Sequence, residues 1–473
     1  MTDWSGKRIL ILGAARQGTA LARWMTRHGA HVTLSDKRLE PDLEPARRAL
    51  ADLPIEWVLG GHPLELLDRT DVLCLSGGIP LDLPIVTEAV RRGLPLSNDT
   101  QVFLEAAPCK TVGITGSAGK TTTTTLVGEM ASKSYSSKSV NDRQPKVYVG
   151  GNIGDPLLNY LDEMTAEDLA ILEISSFQLD QMSVSPNVAA VLNVTPNHLD
   201  RHGSMEAYTA AKARILDFQH ESDTAILGRD DPGAWKLRAR VKGRLFSFGL
   251  SDLHEDQSGV YVSQGLYHLR DGNAYVLLPI QNAIHLRGDH NRLNVLAAVA
   301  IGHAAGLSLD AMLEAIEHFH GVPHRLELVR ELRGVKWYND SIATAPERSM
   351  AAIRSFEEPI VLLLGGKDKN LPWEDLAALV RERADHVVVF GEAAEKILSA
   401  LGASGSASKP RRGKKRPFSI QRCSGLREAV LRAAEVAEAG DVVLLSPGGT
   451  SFDEFNDFAE RGERFRTWVQ ELS

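Results

Sequence analysis

Short apolar runs recur along the chain, each followed by a glycine-rich or polar turn and then an amphipathic segment. That alternation is the sequence form of βαβ units built on a parallel sheet. In the first stretch, 4–107, it predicts a strand over 8–12, a turn over 13–18, a helix over 19–28 and strands over 31–35 and 71–75. The second stretch begins at Thr111 with a strand over 112–115 and a helix over 121–132. The runs at 169–174 and 188–194 are continuously apolar, as expected for central strands covered on both faces. A helix is predicted from 204 through 218, an antiparallel edge over 261–278, and a closing helix pair over 291–305 and 309–319. The third stretch starts near 322 and carries predicted strands at 335–338, 360–364, 386–390 and 442–446. Within it, Thr344-Ala345-Pro346-Glu347 has the spacing of a capping box. No repeat of solenoid period is evident.

Composition narrows the class. The 473 residues suit roughly two to four domains at about 100–200 residues each. With 53 Lys and Arg against 61 Asp and Glu, the net charge of −8 excludes a chain that coats nucleic acid. Cys74, Cys109 and Cys423 form no CxxC pair and no disulfide framework, which fits a reducing compartment. The first seven residues do not read as a signal peptide, and the longest apolar runs, at 360–364 and 442–445, are strand-sized. The expectation is a cytoplasmic protein with no membrane span. Residues 403–416, with Arg411, Arg412, Lys414, Lys415 and Arg416, read as a solvated variable loop, the alternative being an anion patch.

The sharpest chemical signal is Gly113-Ile114-Thr115-Gly116-Ser117-Ala118-Gly119-Lys120-Thr121-Thr122, between a predicted strand and a predicted helix. Glycines let backbone N–H groups curl around phosphate oxygens, and the helix N-terminus adds partial positive charge. Lys120 can reach β- and γ-phosphates and Thr121 can hold Mg²⁺. The spacing departs from the strict P-loop, with Ile114 six positions before Lys120. Glu173, near the end of the run at 169–174, is placed to be a Mg²⁺ ligand beside such a loop.

Three weaker signals remain. His198 and His202 are spaced i,i+4, but no third zinc ligand accompanies them, so their segment reads as a substrate- or Mg²⁺-contacting loop. By composition alone, Lys212 is a solvated lysine on the helix at 204–218. Gly13-Ala14-Ala15-Arg16-Gln17-Gly18, with Asp36 at the end of the next strand, imitates a dinucleotide fingerprint that lacks its middle glycine. Nucleotide binding and a structural βαβ turn both fit it.

Taken together, these residues resemble the Mur ligase family, in its D-glutamate-adding branch. The resemblance spans all three stretches. It rests on 116–122, Gly150-Gly151-Asn152-Ile153-Gly154, Glu173-Ile174-Ser175-Ser176-Phe177-Gln178-Leu179, 193–201, 210–215, His290-Asn291-Arg292-Leu293-Asn294, Pro323-His324-Arg325, Tyr338-Asn339-Asp340-Ser341 and 445–458. The run after Glu173 discriminates best, because sister ligases carry other sequences there. Two departures stand out: Ser117-Ala118 replaces the usual Thr-Asn, and Ile342 stands where a lysine is common.

The resemblance implies an α/β fold of three domains, with boundaries expected at 1–108, 109–321 and 322–473. The first would be a Rossmann-like domain for the UDP-muramoyl substrate, contacted by Gly13, Arg16, Gln17, Gly18, Asp36, Lys37, Arg38, Ser76 and Gly78. The central P-loop ATPase-type domain, with a mostly parallel sheet, would bind ATP. It would use Gly116, Ser117, Ala118, Gly119, Lys120, Thr121, Thr122 and Asn291, with Asn152 touching substrate or phosphates. The Rossmann-like C-terminal domain would add Arg325 and Asp340 to ATP on closure, and would frame D-glutamate with Thr344, Lys369, Ser451 and Phe458.

By the same resemblance, Thr121 and Glu173 would hold one Mg²⁺, and His198 with a carbamylated Lys212 a second. Lys120, Glu173, His198 and Lys212 are the implied catalytic set, with His198 a candidate base. The implied substrates are UDP-N-acetylmuramoyl-L-alanine, D-glutamate and ATP, acted on by a monomer. A folylpolyglutamate synthase-like ligase would share the ATP loop, but Ser175-Ser176-Phe177-Gln178-Leu179 argues against it. A non-catalytic nucleotide-binding protein would keep the loop without Lys212, Arg325 and Asp340.

Overall fold

The apolar runs pair into three sheets in the computed structural model, which describes residues 3–136, 138–140, 143–286, 288–402, 417 and 419–473. The basic segment at 403–416 lies outside the described residues. The chain divides into two compact units, Met1–His285 with Asp289–Phe319, and Leu286–Gly288 with His320–Ser473. Among the described residues, no helix is long and apolar enough to cross a membrane.

Two sheets belong to the first unit. One has five parallel strands in the order Glu56–Leu59, His31–Asp36, Arg8–Leu12, Val72–Leu75, Leu96–Ser97. Strand order reverses between Arg8–Leu12 and Val72–Leu75, so the loops after Leu12 and Leu75 flank a crevice at the carboxyl ends. The second sheet orders nine strands as Ala274–Leu278, Leu266–Asp271, Gly259–Ser263, Arg244–Phe248, Thr224–Gly228, Val188–Val191, Lys110–Thr115, Leu169–Glu173, Val147–Gly151. Its strands are parallel except for the meander at one edge, where 259–278 folds as two antiparallel hairpins. The first hairpin turns at Gln264-Gly265, both with positive φ, which matches the right-handed twist of the flanking strands.

The two sheets share one core. Ile9 and Ile11 from the first, Ala170 and Leu172 from the second, and Val102 and Phe103 from the helix Asp99–Ala106 between them belong to a single buried cluster. That linking helix also buries Asp99, Thr100 and Gln101.

The second unit holds six strands in the order Glu327–Leu332, Val335–Asn339, Val442–Gly448, Ile360–Gly365, Ala384–Phe390, Ser419–Arg422. Only the first pairs antiparallel. The neighbouring strands Val335–Asn339, Val442–Gly448 and Ile360–Gly365 therefore present three loops at one end of the sheet.

Several boundaries moved for identifiable reasons. The expected turn over 13–18 ends early, and the first helix runs Arg16–Arg27. Gly13 reverses the chain at φ +92, and Gly18 lets the first helical turn press against the Gly13 carbonyl. The strand expected over 188–194 stops at Val191, so Asn193 lies beyond it. The capping box read at Thr344 does not form. Pro346 is the first helical residue of Pro346–Ile353, Ala345 is the N-cap, and no side chain caps it.

A Cβ on Gly18 would lie 1.8 Å from the Gly13 carbonyl oxygen, so Gly18→Ala must displace the helix start. Overpacking of this kind costs about 1–3 kcal/mol. Urea denaturation is expected to show an earlier unfolding transition for this variant, and an unchanged transition contradicts the close approach.

Candidate active site

The loop between strand Lys110–Thr115 and helix Lys120–Ser136 is closed by groups from the neighbouring strand end. The Asn193 side chain accepts from the Ala118 N–H at 2.8 Å and donates to the Ala118 carbonyl at 3.1 Å. The Ser117 hydroxyl donates to the Thr195 carbonyl, accepts from the Thr195 N–H and meets the Tyr208 hydroxyl at 3.0 Å. Gly119 sits at φ +84, and a Cβ there would fall 2.2 Å from Asn294 Oδ1, so only glycine fits. Within this curl the Lys120 ammonium donates to the Gly116 carbonyl at 2.8 Å. Thr122 is buried, whereas Ala118 is exposed.

Glu173 is 2 % exposed at the end of the adjacent strand. The Thr121 hydroxyl donates to one carboxylate oxygen at 2.8 Å, and the Asn152 amide donates to the other at 2.9 Å. Strand pairing of Gly151 with Glu173 sets this approach. An acid and a hydroxyl side by side at a helix N-terminus are hard oxygen donors, the set that Mg²⁺ prefers.

Lys212 overturns the composition-based reading of a solvated side chain. It is 1 % exposed on helix Met205–Asp217. Its amine lies 3.4 Å from Thr115 Oγ1 and 4.7 Å from the centre of the Tyr208 ring. Burial, aided by the Lys120 charge, holds the Lys212 pKa well below the usual lysine range. His202 meets the Ser176 hydroxyl at 3.0 Å and stacks on Phe177. His198 is exposed in the left-handed region at φ 52, with its ring edge-on to Phe177. Among the described residues, no three His, Cys, Asp or Glu side chains group as metal ligands.

A cavity of about 290 Å³ opens between the carboxyl ends of the two sheets of this unit. Its lining includes the expected Arg16, Gln17, Ser76, Gly78 and Asn152, and also Asn98, Ser175, Phe177 and Gln178. The Arg16 guanidinium donates to the Gly154 carbonyl across it at 3.0 Å. Gly13, Gly18, Asp36, Lys37 and Arg38 are not part of that lining. Asp36 is buried and already engaged. It accepts from the Ala14 N–H at 2.8 Å and from the Arg38 N–H and guanidinium, and those donors hold its carboxyl well below the usual range against the opposing effect of burial. Lys37 is exposed. Asn291 accepts from the Asn294 amide at 3.1 Å.

In the second unit, Asp340, Thr344, Lys369 and Ser451 lie on the three loops at one sheet end, Arg325 precedes the strand Glu327–Leu332 and Phe458 opens the helix Phe458–Glu471. Asp340 accepts from the Ser446 hydroxyl at 2.8 Å and the Leu326 N–H at 3.2 Å, and burial pushes its carboxyl up to about 7. Arg325 is close enough to oppose that rise. The Lys369 ammonium reaches Thr344 Oγ1 at 3.4 Å, while Lys367 pairs with Glu392. Ser451 is buried, and Phe458 is partly exposed with its ring edge-on to His324. Arg461, fully buried, ties the Ser341 and Gly449–Thr450 loops together through four hydrogen bonds.

Sequence reasoning assigned no role to Asn193, Tyr208, Gln178 or Arg461. Tyr208 had a signal, since it lies four residues before Lys212 on the same helix face. Arg461 had none, because nothing local tells a buried helix arginine from a solvated one.

Three family descriptions match the chain: a Mur ligase MurD-like N-terminal domain at 7–97, a Mur ligase middle domain at 114–302, and a Mur ligase glutamate ligase domain at 324–449. UDP-N-acetylmuramoylalanine--D-glutamate ligase of Symbiobacterium thermophilum is 38% identical over 467 residues, covering 99% of this chain and 98% of that protein. The ligase of the same name from Acidobacterium capsulatum is 38% identical over 471 residues, covering 99% and 97%. In fold, the chain is similar to UDP-N-acetylmuramate-alanine ligase MurC of Thermotoga maritima, with a TM-score of 0.53 at 20% identity covering 98% and 99%. It is also similar to MurF of Acinetobacter baumannii, with a TM-score of 0.53 at 19% identity covering 100% and 93%. With relatives of this identity aligned over nearly its whole length, the chain belongs to the Mur ligase family.

Proposed function

We propose that this chain is the ATP-dependent ligase that adds D-glutamate to UDP-N-acetylmuramoyl-L-alanine in peptidoglycan precursor synthesis. The names of its full-length relatives point to that reaction. The observation that carries it in the structure is Glu173, whose two oxygens engage Thr121 of the phosphate loop and Asn152 of the cavity wall. Phosphate loop and substrate cavity thus meet at one carboxylate.

The reaction joins two anions. The L-alanine carboxylate attacks the γ-phosphate of ATP, the bond to the β-phosphate oxygen breaks, and ADP leaves an acyl phosphate. The uncharged amine of D-glutamate then attacks the acyl carbon. The tetrahedral adduct loses a proton and expels phosphate, leaving the amide. Charge neutralisation dominates such a barrier. Lys120 would leave the Gly116 carbonyl for the β- and γ-phosphates, which backbone N–H groups of 116–120 cradle. Arg325, Asp340 and Asn291 are assigned to the nucleotide, and Thr344, Lys369, Ser451 and Phe458 to D-glutamate. The cavity with Arg16, Gln17, Ser76, Gly78 and Asn152 is assigned to the UDP-muramoyl substrate, and the chain is read as domains 1–108, 109–321 and 322–473. A solved MurF ligase of Thermotoga maritima in complex with ADP, with a TM-score of 0.50, accords with nucleotide use on this fold.

Thr121 and Glu173 fit one Mg²⁺ by their donor chemistry. Lys212 fits carbamylation, because CO₂ adds to the uncharged amine and burial lowers the cost of that form; its new oxygens, with His198, would then serve a second Mg²⁺. When bound, the metal ions neutralise charge on the phosphates. His198 is the candidate to take the amine proton.

Three outcomes test this reading. Release of ADP with UDP-N-acetylmuramoyl-L-alanine should require D-glutamate; equal turnover with L-lysine, meso-diaminopimelate or L-alanine would overturn the assignment. Lys120→Ala should lower kcat by roughly 10²–10³ while circular dichroism stays native. A near-normal kcat would remove Lys120 from the phosphates. Lys212→Ala should be folded and nearly inactive, with partial recovery in acetate or propionate, whose carboxylate can fill the vacated space. Normal activity without added carboxylate would refute the carbamylation.

A further inference from the structure

D-glutamate carries two carboxylates, and its amine reacts uncharged, so the site that takes it has two negative charges to offset. Of the residues assigned to it, Thr344, Lys369, Ser451 and Phe458, only Lys369 is a cation. A second carboxylate left without a partner would lose its water at a cost. The turn at 342–344 brings another cation to the same loop. Its Ile342 carbonyl accepts from the Thr344 N–H at 2.8 Å and from the Arg348 guanidinium at 3.2 Å. The Thr344 hydroxyl accepts from the Lys369 ammonium at 3.4 Å. Two exposed cations are thus bonded to one short turn. The turn is itself anchored, because Ala343 is buried and its carbonyl accepts from the Gly448 N–H at 2.9 Å.

We propose that Arg348 is a specificity-determining residue for D-glutamate: its guanidinium, held by the Ile342 carbonyl, pairs with one substrate carboxylate while Lys369 pairs with the other. This rests on the assignment of these loops to D-glutamate. Neighbouring cations are already engaged. Lys367 pairs with Glu392 and Lys396 with Asp368. Arg461 is fully buried and donates to Ser341, Gly449 and Thr450. Among the described residues, no acid forms an ion pair with Arg348 or Lys369. Asp340 feels the Arg348 charge, but its oxygens accept from the Ser446 hydroxyl and the Leu326 N–H. Arg348 lies in the first turn of helix Pro346–Ile353. Its bond to Ile342 uses one of five guanidinium N–H groups and leaves the rest for a two-pronged carboxylate contact.

The test is steady-state kinetics of the whole enzyme with D-glutamate, D-glutamine and D-isoglutamine. Arg348→Gln removes the charge but keeps an N–H donor for the Ile342 carbonyl. It should raise KM for D-glutamate about tenfold, leave KM for ATP and for UDP-N-acetylmuramoyl-L-alanine within about twofold, and spare kcat. Wild-type enzyme should prefer D-glutamate to both amides. In Arg348→Gln the preference over one amide should fall about tenfold, because that amide lacks the carboxylate Arg348 holds. Loss against D-glutamine assigns the γ-carboxylate to Arg348, and loss against D-isoglutamine the α-carboxylate. Where an amide is not turned over, its inhibition constant against D-glutamate gives the same ratio. Arg348→Lys should recover part of the preference. An unchanged KM for D-glutamate, or a preference kept over both amides, overturns the pairing. Equal rises in all three KM values make Arg348 a structural residue and overturn it too. Wild-type enzyme that releases no ADP with D-glutamate overturns the functional reading itself, whereas normal wild-type turnover with an unaffected Arg348→Gln overturns the pairing alone.

Discussion

Glu173 is the constraint on which the first unit depends. A carboxylate that is almost fully buried has to be satisfied by donors, and here the donors come from two directions, Thr121 and Asn152. Thr121 lies in the first turn of the helix Lys120–Ser136 after the glycine-rich loop, and Asn152 follows the edge strand that pairs with the Glu173 strand. The register of that pairing therefore sets how far the glycine-rich loop stands from the cavity. The same unit brings two lysines close to one another. Lys120 opens the helix Lys120–Ser136, and Lys212 is buried close enough to feel its charge. Two lysines so placed cannot both stay charged cheaply without an anion, and phosphate or a carbamate is the kind of anion that resolves the conflict.

Much of this was legible in the sequence because parallel sheets write themselves plainly. Strands buried on both faces are continuous apolar runs, and the runs ending at Thr115 and near Glu173 placed the loop and the acid side by side. The edge meander was visible as alternation at 261–278. Local rules failed where backbone geometry overrode side-chain type. Pro346 took the first helical position and displaced Thr344 from the cap, leaving its hydroxyl to meet Lys369. Gly13 and Gly18 shortened a turn that residue types alone made longer.

The candidate site was legible where residues lie in motifs and illegible where contacts are long-range. Lys212 reads as solvent-facing because Ala210, Ala211 and Ala213 around it give no clue that the helix is buried on that side. Its burial comes from the strand end at Thr115 and from Tyr208. Asp36 reads as the acid of a dinucleotide fingerprint or as part of a structural turn because of its place at the end of the second strand; its carboxylate accepts from Arg38 and the Ala14 N–H. Gln178 is far in sequence from Asn98 and Thr100, and only the fold brings it within hydrogen-bond reach of both.

The central claim is that the substrate carboxylate and the γ-phosphate of ATP meet at Glu173 and react directly. Oxygen tracing tests this most simply. UDP-N-acetylmuramoyl-L-alanine labelled with ¹⁸O in the alanine carboxylate is turned over with ATP and D-glutamate, and the released inorganic phosphate is analysed by mass spectrometry. Carboxylate attack on phosphorus carries one labelled oxygen into each phosphate, so singly labelled phosphate should form in step with amide product. Unlabelled phosphate formed alongside that product would contradict the account.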